Sequence, residues 1–292
     1  MFLVHPATRT LASLLLLAVA ASGCGGAGGG GGAADLAMAP RERDLVVTKL
    51  IFGRQKPAGV SPGFDVDGYT AKDGDPKTCG HASLVSPTGT PGIDNQLFGL
   101  VEALDLQYSN AVDSIIQEGV NNGMLLVGVR LLDLDDAKDD PAVRLELRRL
   151  TGHPTLGNDK ILDPNQTFAL YKGAPTDATP AALKAGTITT GVFELHLPVA
   201  LLTADFTMHI RDARLTVQLQ PDGSATALLG GRVGVQNMLD GLLPLELDPG
   251  LKARLPDLLA GLADQNKDPA TMKCLDLSTS IELSLKPAFI DL

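Results

Sequence analysis

From Met124 onward, apolar residues recur at every second position. Val143, Leu145 and Leu147 alternate with Arg144, Glu146 and Arg148, and Phe193, Leu195 and Leu197 alternate with Glu194 and His196. This is the period of strands with one buried face. Met124 to Leu134 is apolar on both faces near its start, as a central strand is. Phe206, Met208 and Ile210 share one parity and Leu215, Val217 and Leu219 the other, which puts a bulge or turn near Arg211-Asp212-Ala213. Pro221-Asp222-Gly223 turns the chain into a partner strand over Ala225 to Val235. The last strand is the cleanest. It sets Leu275, Leu277, Ile281, Leu283 and Leu285 against Asp276, Ser278, Ser280, Glu282 and Ser284.

Before Gly123 the spacing is helical. Asp94 fits an N-cap for a helix carrying Leu97, Leu100, Val101 and Leu104, and Ser109 or Asn110 fits the start of a second carrying Val112, Ile115, Ile116 and Val120. Asn121-Asn122-Gly123 ends it with a glycine where a left-handed residue is wanted. Leu255, Leu258, Leu259 and Leu262 mark one later helix, with Pro256 expected in its first turn. Asp44 to Phe52 reads as a first strand, and residues 53–93 as a long ordered loop region. Many alternating strands with few helices predict a mainly β fold, an antiparallel β-sandwich of jelly-roll type with helices packed at an edge or end. Residues 44–292 are expected to form a single globular β-rich domain; a division into a helical part before Gly123 and a β part after it is the alternative.

The first residues carry a different pattern. MFLVHPATRT holds one basic residue, Arg9, and no acid, and a mostly apolar run from Leu11 to Ala21 leads to Ser22, Gly23 and Cys24. That is a signal peptide over residues 1–23, its apolar run being too short for a permanent span. Ala21-Ser22-Gly23-Cys24 resembles a lipobox, in which the cysteine receives diacylglycerol before cleavage; Ala21 stands where leucine is usual. Gly25 to Gly32 is almost pure glycine, so residues 24–43 read as a flexible tether. Acyl chains contribute about 0.8 kcal/mol per buried methylene, so a diacylated Cys24 anchors firmly. By resemblance to Gram-negative lipoproteins, Gly25 after the cysteine favours the outer membrane.

Charge and cysteine count narrow the picture. Loss of residues 1–23 removes Arg9 and no acid, taking the net charge from −10 to about −11, so no basic surface for nucleic acid is expected. Three cysteines with Cys24 acylated leave Cys79 and Cys274, the arithmetic of one disulfide in an oxidising compartment.

Candidate chemistry is sparse. Gly63-Phe64-Asp65-Val66-Asp67-Gly68, followed by Asp73-Gly74-Asp75, sets Asp65, Asp67, Asp73 and Asp75 at alternate positions in a glycine-bounded loop, where carboxylates can converge on calcium. The loop is not an EF-hand, and short acids making Asx turns give the same pattern. Asp94 is a distant candidate ligand as well as a cap. Glu194 and His196, paired in a hairpin with His209 and Arg211, would place four polar groups on one outward face, a set able to bind zinc or do acid–base work or simply to form a solvated ladder. The chain has no Gly-x-Ser-x-Gly, His-Glu-x-x-His, phosphate loop or Cys-x-x-Cys.

The run Gly63 to Gly68, then Cys79-Gly80-His81, Ser86-Pro87-Thr88-Gly89 and Gly92-Ile93-Asp94-Asn95-Gln96, with a cysteine opening the last strand, resembles a set of uncharacterised lipoproteins from glycine- and alanine-rich bacterial genomes. The resemblance implies export and a shared domain, and carries no activity with it. The anchor, the tether, the β-rich body and the absence of catalytic motifs make the leading expectation a non-enzymatic binding or structural domain, held to a membrane by its lipid and meeting a protein or envelope partner. A carbohydrate ligand is disfavoured by the absence of Trp and the presence of only three Tyr. Two alternatives stand beside it. One is a hydrolase acting on envelope or extracellular polysaccharide through acids such as Glu194. The other is a lipid-binding carrier, suggested by the two-sided apolar run at Met124 to Val129.

Overall fold

A computed structural model describes residues 41–107, 112–136, 138–173, 177–201 and 204–292. The expected signal peptide, Cys24, most of the tether, and Ser109 and Asn110 lie outside the described residues. Met38–Leu292 is one compact unit. In chain order its elements are β1 (Arg41–Phe52), β2 (Leu84–Val85), β3 (Pro91–Ile93), α1 (Phe98–Gln107), α2 (Val112–Asn121), β4 (Val127–Leu134), β5 (Asp140–Thr151), β6 (Gln166–Leu170), β7 (Asp177–Lys184), β8 (Thr187–Thr190), β9 (Phe193–Leu201), β10 (Ala204–Leu219), β11 (Ala225–Gly234), α3 (Val235–Leu242), α4 (Pro249–Leu262), β12 (Gln265–Lys267) and β13 (Cys274–Asp291).

The fold is mainly β, but its large sheet closes on itself. β1, β4, β5, β7, β8, β10, β11 and β13 pair antiparallel in that order, and β13 returns to β1. Each barrel strand neighbours the next barrel strand along the chain, so the topology is up-and-down, in place of the expected jelly-roll sandwich. The alternation along a strand is the same in a sandwich and a barrel, so periodicity alone does not separate them. The strands that complete the ring, β7 (DATPAALK) and β8 (TITT), carry few large apolar residues and leave little trace in the pattern.

Register explains the core. Leu45 faces Val129, which faces Leu147; Ile188 faces Val217, then Ala227, Leu283 and Leu50 in turn. These inward residues are buried and fill an eight-stranded lumen. Outward positions of the same strands are mostly polar, Val46, Leu132 and Leu228 being exceptions: Asp44, Arg130 and Glu146 stand in one cross-strand row, with Arg130 3.0 Å from Asp44 and 3.6 Å from Glu146. That parity is the inverse of a membrane-spanning barrel, whose outer surface is apolar. Among the described residues no helix is long and apolar enough to cross a membrane.

Three local expectations need correction. Asp94 does not cap α1, which begins at Phe98; it sits in a bridge with Phe64, buried, accepting a hydrogen bond from the Val66 amide at 2.8 Å. Two helices, not one, lie between β11 and β13, because the stripe Met238 and Leu242 of α3 follows β11 without a break in hydrophobicity. α4 begins at Pro249 with Asp248 accepting from the Gly250 and Leu251 amides, so Pro256 falls inside the helix, its ring in solvent. The bulge between Arg211 and Arg214 and the hairpin at 220–224 are as expected, Asp212 taking φ 49°.

Candidate ligand-binding site

The two ends of the barrel differ. One is closed by short connections, 135–139, 185–186 and 220–224; the other carries every long one, 53–126, 152–176, 191–203 and 235–273, and with them the four α-helices of the described residues. At this second end lies a cavity of about 170 Å³.

Its walls follow from the helical stripes. Leu97, Leu100, Val101 and Leu104 come at i, i+3, i+4 and i+7 on and just before α1, while Val112, Ile115 and Ile116 come from α2 and Met238 and Leu242 from α3. Phe52 and Ile281 supply the barrel side, and Met208 opposite Leu197 extends that wall along the β9–β10 ribbon. Phe206 packs on α3 at Gly241, where any side chain would meet the ring. Of the twenty described residues that line it, only Glu246 is not apolar. Phe52, Leu104, Val112, Ile115, Phe206 and Leu247 are half-buried and Glu246 is exposed, which marks the side open to solvent.

Arg54, just after β1, holds the α1–α2 hairpin in place over this end. Its guanidinium donates to Asp105 of α1 at 2.7 Å and to both oxygens of Asp113 of α2 at 3.0 Å. Asp105 also accepts from the Val112 amide at 3.3 Å, so one arginine fixes the end of one helix and the start of the next.

On the opposite, outer face of β13 the chemistry is polar. The loop 53–96 runs over it, with Phe64 seated at Gly230, where a Cβ would come within 2.6 Å of the ring. Ser278 Oγ donates to Asp264 at 2.6 Å and accepts from the Gln96 amide at 2.9 Å; Asn95 donates to the Gly53 carbonyl at 3.1 Å and to Ser61 at 2.8 Å. Cys79 and Cys274 are disulfide-bonded, joining the loop to the start of β13. Burial pushes the Asp264 carboxyl above the usual range against its hydrogen bonds from Ser278. Asp94 is driven up to about 7, first by burial, with the Val66 amide pulling the other way and the charges of Asp67, Asp264 and Asp65 adding to the rise.

Of the acids expected to gather, Asp65 and Asp67 do come together, and the third member is Asp94: one oxygen from each lies within 4.8 Å of the others. Asp65 also accepts from the Gly68 amide at 2.6 Å and Asp67 from the Tyr69 amide at 2.8 Å, which is loop-forming Asx geometry. Asp75 is elsewhere, capping the short 3-10 turn Pro76–Thr78 and accepting from the Tyr69 hydroxyl at 2.8 Å; Asp73 is not in the group either. A calcium ion would find Asp65, Asp67 and Asp94 but would have to keep Asp94 ionised.

The β9–β10 hairpin pairs His196 with His209, as expected, and their rings stack with centroids 4.3 Å apart and planes 14° apart. Glu194 lies 2.8 Å from His209 Nε2, at ion-pair distance but out of line for a hydrogen bond, while Arg211 turns to the buried Asp276 at 2.5 Å. Nearly parallel rings direct their lone pairs side by side, which does not converge on a metal. His81 Nε2 is 3.0 Å from the Gly261 carbonyl.

The cavity and Glu246 were not visible in sequence, because each lining stretch reads alone as ordinary core. Met124 to Val129, the run that suggested a lipid carrier, divides its residues: Val127 and Val129 join the core and Leu125 reaches the cavity. Comparison with known protein families, with curated proteins and with solved structures returns no match.

Proposed function

We propose that the domain binds a small apolar molecule, or the apolar end of an amphiphile, in the mouth of the barrel, as a non-enzymatic carrier or receptor held at the outer membrane through acylated Cys24. The observation that carries this reading is the cavity of about 170 Å³, lined by apolar side chains from all four helices and roofing an otherwise filled barrel. Dry apolar cavities of about 150 Å³ take up benzene, and eight-stranded barrels have room for one small ligand. Ligand sites are mostly apolar with few polar groups that orient the ligand. Polar outward strand faces leave membrane attachment to the lipid and the tether.

Binding is favoured over hydrolysis of envelope polymers because Glu194, the acid considered for that chemistry, is held beside His209 on the ribbon and does not line the cavity. The test is organic extraction of protein purified from its own membranes, followed by mass spectrometry. One apolar species recovered in near-stoichiometric amount is expected, and its loss in a Leu242→Trp variant, which fills the cavity, ties it to the mouth. Recovery of the same species from both proteins, or of none from either, contradicts the reading.

A further inference from the structure

Resting on the reading of the mouth as an apolar-ligand site, we infer that its occupant is an amphiphile with a protonated amine head, held at the rim by Glu246. Among the described residues the lining contains no Lys, Arg or His and no side-chain hydroxyl or amide. Glu246 is the one charged side chain among the described lining residues, and it can interact with a ligand's polar end. It is exposed between Leu245 and Leu247, both of which line the cavity, and its carboxylate has no hydrogen bond or ion pair with another described residue.

Two of the cations nearby are already engaged. Arg54 is bound to Asp105 and Asp113, and Lys252 Nζ lies 3.3 Å from the Leu245 carbonyl. Lys56 lines the adjoining cleft with Arg54, where Glu102, Asp105 and Asp113 outnumber the two cations.

A charged head cannot follow the alkyl chain into an apolar cavity without a large desolvation cost, so it stays at the rim. There a carboxylate head meets the like charge of Glu246, beside a Lys252 ammonium that already donates to the Leu245 carbonyl. A hydroxyl loses little and gains little. An ammonium brings three donors and the opposite charge to a carboxylate with free acceptor sites. The net charge of −10 acts in the same direction at longer range.

The experiment uses the full chain with Cys24→Ser, so that no attached acyl group competes. A neutral fluorescent probe, N-phenyl-1-naphthylamine, is displaced by octylamine, octanol and octanoate near pH 8, where the amine and the acid are both charged. Octylamine is expected to displace the probe at about tenfold lower concentration than octanoate, with octanol between them, as rim charge pairs allow. Glu246→Gln is expected to bring amine and acid to within about twofold and to leave octanol unchanged, and high salt to compress the wild-type difference. Equal displacement by all three, a lead for octanoate, or an amine preference that survives Glu246→Gln overturns the ligand class while the apolar site stands. If neither the probe nor octanol binds, the reading of the mouth fails and this inference with it.

Discussion

The two faces of β13 border two regions built on opposite principles. Inward, Ile281 forms part of an apolar cavity where, among the described residues, no side-chain hydrogen bond orients the lining. Outward, Ser278 and Ser280 lie under the loop 53–96 in a buried polar seam, with Asp94 and Asp264 both held above their ordinary proton affinity. The seam leaves Asn95 Oδ1 and Ser280 Oγ without a hydrogen-bond partner among the described residues, a cost that directional contacts and a covalent clip must offset. The difference separates two kinds of work. The seam specifies where one loop lies, and the mouth leaves space that an unspecific, shape-filling ligand can use.

Breaking the clip should have the largest effect. Cys79→Ala with Cys274→Ala opens a loop spanning 195 residues, worth about 5 kcal/mol in the chain-entropy account, and urea unfolding should show a loss of that order. The pH dependence of the seam comes next. Asp94 has a folded-state value of about 7 against 3.8 for the free carboxyl, so between these values the native chain holds more protons than the unfolded one. Its contribution therefore falls as pH rises from about 4 to 7, by about 4 kcal/mol in total. Asp94→Asn should flatten that segment of the profile and raise stability near pH 8, with the Val66 amide still accepted by the amide oxygen. Added calcium near pH 8 should leave the wild-type midpoint unchanged, because one oxygen each of Asp65 and Asp67 is engaged by backbone amides and ionised Asp94 would have to stay buried. A rise that Asp94→Asn lacks would make the three acids a cation site.

At the mouth, Arg54→Met strands two carboxylates that are only partly exposed and should cost about 3 kcal/mol in the same unfolding assay. It should also speed probe release, since α1 and α2 lose their common tie. The smallest effect is of opposite sign. Leu100→Phe, filling part of the cavity, should raise stability by up to about 1 kcal/mol while weakening probe binding, the trade expected where empty space is kept for function.

Sequence made the outer seam more legible than the mouth. The serines at 278 and 280, the disulfide and the pairing of Asp65 with Asp67 follow from alternation, cysteine parity and loop spacing. Asp94 joins them through its bridge to Phe64, which no local pattern announces. The bulge at Arg211 to Arg214 was legible because a switch of parity inside one strand needs an extra residue in the ladder to keep the apolar side chains on the inner face. Barrel closure was not, because β7 and β8 pack small and polar residues. The cavity was not, because Leu50, Leu104, Phe206 and Leu245 lie far apart in the chain and each satisfies the pattern of a filled core. What distinguishes a filled core from a hollow one is volume, and periodicity does not encode it.

Methionine methyls offer the most direct test of the mouth as a ligand site, because Met208 and Met238 line the cavity while Met272 is 62% exposed elsewhere. Carbon-13 methyl spectra of the full chain titrated with octanol should show the Met208 and Met238 signals shifting together and saturably, with Met272 unmoved. Signals that stay fixed, or three methyls that drift alike without saturation, would contradict it.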